Sequence, residues 1–135
     1  MGLKQVILGG SPTDAVQDTQ VTYNYLAGGR AWSTTESLFW QCIPTGGTIS
    51  KLFIRLTANV AAGGTLTFVL MLNGNPTALS VAIGAGASTG NDQTNSIAVV
   101  AGDVVDIRCT PTGTPGTPSA SWTVLWESTI AGESI

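Results

Sequence analysis

Thr65-Leu66-Thr67-Phe68-Val69-Leu70-Met71-Leu72-Asn73-Gly74 is the stretch that decides the fold. Its first eight residues are β-branched, aromatic or long aliphatic, and they stop at Asn-Gly, the dipeptide best suited to a two-residue hairpin because both positions tolerate positive φ. Ala78 to Ile83 follows and runs into a Gly/Ala/Ser/Thr/Asn loop. Val104 to Thr110 and Ser121 to Glu127 come next, split by Pro111-Thr112-Gly113-Thr114-Pro115-Gly116-Thr117-Pro118, whose prolines favour an exposed, extended loop. Short strand patterns at this spacing, each bounded by turn-forming clusters, predict an all-β sandwich or barrel.

Upstream, Leu3 to Leu8 reads as a strand ended by Gly9-Gly10, Ser11 to Gln20 as a polar linker, and Val21 to Leu26 and Ser37 to Ile43 as further strands. Ile49 to Thr57 alternates, with Leu52, Ile54 and Leu56 on the core face and Lys51, Phe53, Arg55 and Thr57 on the wet one. In Thr65 to Leu72, Leu66, Phe68, Leu70 and Leu72 face inward, yet Val69 and Met71 make the other face apolar too. That strand is expected to be covered on both sides, by a central position or by another subunit. In Val104 to Thr110, Val105, Ile107 and Cys109 point inward and Asp106 and Arg108 outward. No segment has helical periodicity, so the expected fold class is an all-β, jelly-roll-like two-sheet antiparallel β-sandwich of about eight strands. The expected organisation is an N-terminal arm or first strand plus linker over residues 1–20, one sandwich domain over 21–128 and a tail over 129–135.

Charged residues are 10% of the 135, against about 25% in ordinary globular chains, and the deficit is filled by Thr, Ser, Gly, Ala and Asn. Such a surface has little repulsion to hold copies apart and suits a protein packed against neighbours. The net charge is −3 and the five basic residues, Lys4, Arg30, Lys51, Arg55 and Arg108, are scattered, so no nucleic-acid partner is expected. Phe68 to Leu72 is far too short to span a bilayer, and Met1 opens no basic, apolar leader, so the expectation is a protein made in a cytosol without a signal peptide and without a membrane partner.

The chain contains no histidine, which removes Ser-His-Asp and Cys-His catalysis and histidine-ligated metal sites. Cys42 and Cys109 each fall in a strand pattern; free thiols are the default, and a disulfide requires those strands to be neighbours. Gly84 to Gly90 resembles a dinucleotide loop only superficially, since its spacing is wrong and no helix follows. Glu36, Asp103, Asp106 and Glu127 are the carboxylates available for glycoside hydrolysis, but turn and solubility roles account for them. Asn91, Asp92 and Asn95 lack the spacing of a calcium loop. Neither an enzyme nor a cofactor is therefore expected. Of four tryptophans, Trp122 and Trp126 share a face with Val124, and Trp40 with Leu38 and Cys42, which assigns these three to the core. Trp32 follows Gly28-Gly29-Arg30 in an irregular segment and is expected at a surface or interface.

The succession Leu66 to Gly74, then Ala78 to Ile83, then Ser96-Ile97-Ala98-Val99-Val100-Ala101-Gly102-Asp103-Val104-Val105-Asp106-Ile107-Arg108, then Thr110-Pro111-Thr112-Gly113-Thr114-Pro115, resembles a β-rich module of tailed-bacteriophage virion proteins. There a strand ends in Asn-Gly and a later one in Ala-Gly-Asp before a Thr-Pro-rich loop. The resemblance covers the C-terminal part of the chain and leaves residues 1–60 outside it. It implies a virion structural protein, a capsid decoration (cement) protein or a head-fibre or tail component, with a jelly-roll-like fold, a homotrimeric state and the major capsid protein as partner. It supplies no catalytic residues. Leu3, Val6, Ile7 and Leu8, with Trp32, are the expected capsid or subunit interface. A carbohydrate-binding module for adhesion is the alternative, and it requires exposed tryptophans that meet a glycan.

Overall fold

The computed structural model describes residues 3–129; the expected tail beyond them lies outside the described residues. Nine strands are formed: β1 (Lys4–Gly10), β2 (Thr22–Asn24), β3 (Gln41–Cys42), β4 (Gly47–Leu56), β5 (Thr65–Leu72), β6 (Asn75–Gly84), β7 (Thr89–Val99), β8 (Val104–Thr112) and β9 (Ala120–Ser128). One sheet has the order β1-β9-β4-β7 and the other β2-β8-β5-β6, with β3 also paired to β8.

Counted outward from the Asn73-Gly74 turn, the strands pair in nested fashion: β5 with β6, β4 with β7, β2 with β8, and β1 with β9, all antiparallel. Successive pairs fall in opposite sheets. The chain is thus one long hairpin rolled over on itself, which is the jelly roll. Its tip is the predicted two-residue turn, with φ of 52° at Asn73 and 80° at Gly74. Those signs match a type I′ turn, whose twist suits the flanking strands.

The two sheets close on a core in which Leu66, Phe68 and Leu70 of β5 and Val105, Ile107 and Cys109 of β8 face Ile49, Leu52 and Ile54 of β4 and Trp122, Val124 and Trp126 of β9. Ile49 and Leu52 point the same way although three residues apart, because the ladder is broken between Ser50 and Leu52 and Lys51 adopts φ 56°. A bulge of this kind absorbs a residue and restores the inward set. Beyond it, the predicted alternation from Leu52 to Thr57 holds.

Four expectations need correction. Ser37 to Ile43 is not one strand: Glu36–Phe39 is a 3-10 turn and only Gln41–Cys42 pairs. Its alternation is real but the inward face is the opposite one, so Phe39 is buried while Leu38, Trp40 and Cys42 are exposed. Trp32, expected at the surface, is only 7% exposed and packs between the sheets, 5.5 Å from the Trp122 ring and 6.2 Å from Phe68. Removing about 200 Å² of indole from water is worth about 5 kcal/mol, which is enough to draw a loop residue into an available gap. Finally, Asp106 does not face solvent. It has no exposed surface.

Asp106 is buried because the outer face of the β2-β8-β5-β6 sheet is covered by the chain itself. Val69, Met71 and Phe39 are buried but stand apart from the inter-sheet core. Phe39 meets the Tyr25 ring edge-on at 5.3 Å, and the 36–39 turn lies against β2 and β8. The two-sided burial expected of β5 is met within one chain, at least along this strand.

Candidate docking face

Among the described residues, the outer face of the β1-β9-β4-β7 sheet has no such cover. Pairing brings Val6 opposite Leu125 and Leu8 opposite Thr123, and Thr123 lies opposite Phe53 of β4. Val6 and Leu8 are each 64% exposed, Leu3 55% and Phe53 41%. Ile7, the residue between them, turns inward and packs partly buried against the core. Period-two geometry explains the division: even-numbered residues of β1 point out and odd-numbered ones in. Of the five residues expected to form an interface, Val6 and Leu8 therefore lie on one open face, Leu3 is exposed just before the strand, Ile7 is on the reverse of the same strand, and Trp32 is in the core. Phe53 and Leu125, which sequence reading did not include, complete the apolar stripe. The period-two pattern already set Phe53 on the wet face, but nothing local says that β4 and β1 flank the same strand.

A shallow groove of about 650 Å³ crosses this face, lined among others by Leu8, Phe53, Arg55, Asn91 and Thr123, and a second hollow of about 180 Å³ joins Val6, Lys51, Phe53 and Leu125. Lys4, Lys51 and Arg55 rim the stripe, and Glu127 stands opposite Lys4 across the strands. Three of the chain's five basic residues are thus gathered on one face of a protein whose net charge is −3.

β1 is also an edge strand. Leu8 accepts a hydrogen bond from the Gly28 N–H and Gly10 donates to the Gly28 carbonyl, which closes the end of the edge near Gly9. The groups of Lys4 and Val6 point the same way, away from β9. Edge backbone of this kind can take a further strand. Residues 4–10 therefore do not form a detachable arm. They pair with β9 along their whole length.

The other candidate groups are accounted for by structure. Cys42 and Cys109 are free; Cys42 lies opposite Val104 and Cys109 sits five positions further along β8, roughly 17 Å at strand rise, too far for a bridge. Burial pushes the Cys109 thiol up to about 12. Asn91, Asp92 and Asn95 do not form a cation site: Asp92 Oδ1 accepts the Thr94 and Asn95 backbone N–H groups at 3.0 Å, and Oδ2 accepts the Asn95 side-chain amide at 2.9 Å and the Ser80 N–H at 3.2 Å. The carboxylate shapes the irregular turn of β7 and ties it to β6 in the opposite sheet. Among the described residues no group of three or more potential metal ligands occurs, and no helix is long and apolar enough to cross a membrane.

Burial raises the Asp92 acid while the N–H groups of Asn95, Ser80 and Thr94 outweigh it, leaving the group lowered to about 2. A depressed carboxylate stabilises the fold above its unfolded value of about 3.9 and loses that contribution as pH falls through the folded value. Asp92→Ala is expected to cost about 1–2 kcal/mol at neutral pH, because charged, part-buried hydrogen bonds are lost and water can reach the freed donors. Urea midpoints of variant and parent should converge as pH is lowered from about 4 to about 2. An equal gap at both ends would contradict this role.

No known family model matches the chain, and no curated protein matches it.

Proposed function

We propose that this protein is a virion structural protein of the capsid-decoration type, which assembles as a homotrimer and stabilises a shell by binding its assembled surface. The observation that carries the reading is the uncovered apolar stripe of Val6, Leu8, Phe53 and Leu125 on an otherwise small, uncharged polar surface. The sequence resemblance and the jelly-roll strand order support it. The occupant of this face is another copy of the chain. A twofold contact through it would set Lys4, Lys51 and Arg55 against themselves, whereas a head-to-tail contact places these cations against a different, acid-bearing surface of the neighbour. Head-to-tail contacts that close form rings, and a trimer is such a ring. Capsid binding then works by mass action, since a ligand that recognises only the assembled lattice stabilises that lattice.

Native mass by light scattering at low and high salt tests the reading. A trimer that persists at high salt is expected, because burial of apolar area is not screened. A monomer at tens of micromolar would overturn the trimer. One observation favours the glycan-binding alternative: Trp40 is 46% exposed, beside the Asn73-Gly74 turn, with a ring carbon 3.9 Å from a Cβ built on Gly74. Under that alternative, tryptophan emission would shift on titration with oligosaccharides and the native mass would be that of one chain.

A further inference from the structure

We infer that residues 33–40 form a proton-dependent latch, in which the carboxyl groups of Glu36 and Asp106 share one proton across the join between this segment and the sheet beneath it. This is independent of the decoration reading and rests on the other face of the molecule.

Asp106, on β8, has no exposed surface, and neither of its oxygens has a hydrogen-bond partner among the described residues; the same is true of Glu36 Oε2 and Arg108 Nε. A buried carboxylate left in this state costs several kcal/mol. Two carboxyl groups that meet without another donor can hydrogen-bond only if one of them is protonated, and then one acid donates to one carboxylate. The remaining groups facing the pair fit that state. Arg108, on the same face of β8, balances the single remaining negative charge, and Tyr23, opposite Arg108 on β2, adds a neutral phenol. β5 presents only Val69 and Met71 at this level, opposite Arg108 and Asp106. Arg30 stacks over the Phe39 ring at 5.9 Å.

Burial, then the Glu36 hydrogen bond and charge, raise the Asp106 acid to about 8 against the opposing pull of Arg108. The Tyr23 phenol is raised by burial first and by Glu36 next. With the segment lifted away, the Asp106 carboxyl meets water and ionises above about pH 4. The closed form therefore holds one more proton than the open form between about pH 4 and about pH 8. Closure is strongest at acid pH; the opening constant grows tenfold per pH unit across that window and levels off above it. Opening uncovers Phe39 and the part of β8 that the turn lies against, a surface that the closed protein hides.

The segment is fastened to β2 by the Tyr23 N–H donating to the Ser33 carbonyl at 2.8 Å and the Ser33 N–H donating to Tyr23 at 3.3 Å. Hydrogen exchange at these two amides, expressed as protection factors so that the intrinsic pH dependence cancels, reads the latch. A fall of several-hundred-fold between about pH 5 and about pH 8 is expected. Asp106→Asn supplies a permanent amide donor to Glu36 and should make protection at both amides the same at the two pH values. Glu36→Gln leaves Asp106 buried, so it should shrink the fall without abolishing it, and it serves if the first variant does not fold. Equal protection at both pH values in the parent protein, a fall that survives in Asp106→Asn, or a fall left unchanged in Glu36→Gln would overturn the latch.

Discussion

Replacing Gly9 by alanine is expected to lower stability by about 3–4 kcal/mol, seen as a fall in melting temperature of roughly 10–15 °C. A methyl group built on Gly9 would occupy the positions of Trp122 Nε1 and the Leu26 carbonyl oxygen. Those two atoms are joined by a buried hydrogen bond of 2.9 Å. The side chain cannot be accommodated by a small rotation, since one obstacle is a core indole and the other is backbone. The change therefore adds overpacking to the loss of a buried hydrogen bond, at about 1–3 kcal/mol for each. Gly10→Ala is the useful contrast. Its Cβ would meet Ser121 no closer than 3.1 Å, on an edge that can yield by a few tenths of an ångström. A loss at Gly9 no larger than at Gly10 would show that β1 is not clamped against Trp122. The same geometry predicts that removing residues 1–10 leaves β9 without its partner and exposes the inner tryptophans, so such a truncation abolishes folding and cannot report on docking alone.

Val6→Asp combined with Leu8→Asp should leave the fold intact and break the proposed oligomer. Both side chains are mostly exposed in the single chain, so their loss costs within about 1 kcal/mol of folding stability. In the assembled ring each new carboxylate would have to be buried without a partner, at several kcal/mol, which weakens association by at least about 100-fold. Sedimentation or light scattering at matched concentration should report a single-chain mass with an unchanged far-ultraviolet spectrum. Leu38→Asp, at a half-exposed position on the opposite side of the sandwich, should leave the mass unaltered. If the double variant keeps the parent mass, the stripe is not the subunit contact. If Leu38→Asp alone dissociates the protein, the contact lies at the 33–40 segment instead.

Much of the fold was legible in the residues. The hairpin at Asn73-Gly74 follows from two residues that accept positive φ, and the inward sets of β5, β8 and β9 follow from strict alternation. The same rule placed Phe53 outside. It failed around Glu36 to Cys42, where alternation alone does not say which face is the core; Phe39 went in, and Leu38 and Trp40 went out. Trp32 misled for a related reason. Irregular chain next to glycines is ordinarily surface, but here it carries an indole into the gap beside Trp122.

The docking stripe was half legible. Leu3, Val6 and Leu8 formed an apolar strand at the start of the chain, yet Phe53 and Leu125 joined them only through nested pairing that sets β1 and β4 on either side of β9. Asp106 is the clearest case of a property no local pattern holds. An aspartate alternating with Val105 and Ile107 reads as solvent-facing, and so it would be on a bare sheet.

The sequence by itself determined the class of fold, the turns that punctuate it, the absence of histidine chemistry and the low charge, because these depend on composition and on neighbours a few residues apart. Only the tertiary structure decided which face of each sheet is covered. That depends on residues 33–40 folding back over β2 and β8 while no described residue folds over β1, β9 and β4, and long-range packing of this kind is set by the fit of whole surfaces and not by any one segment.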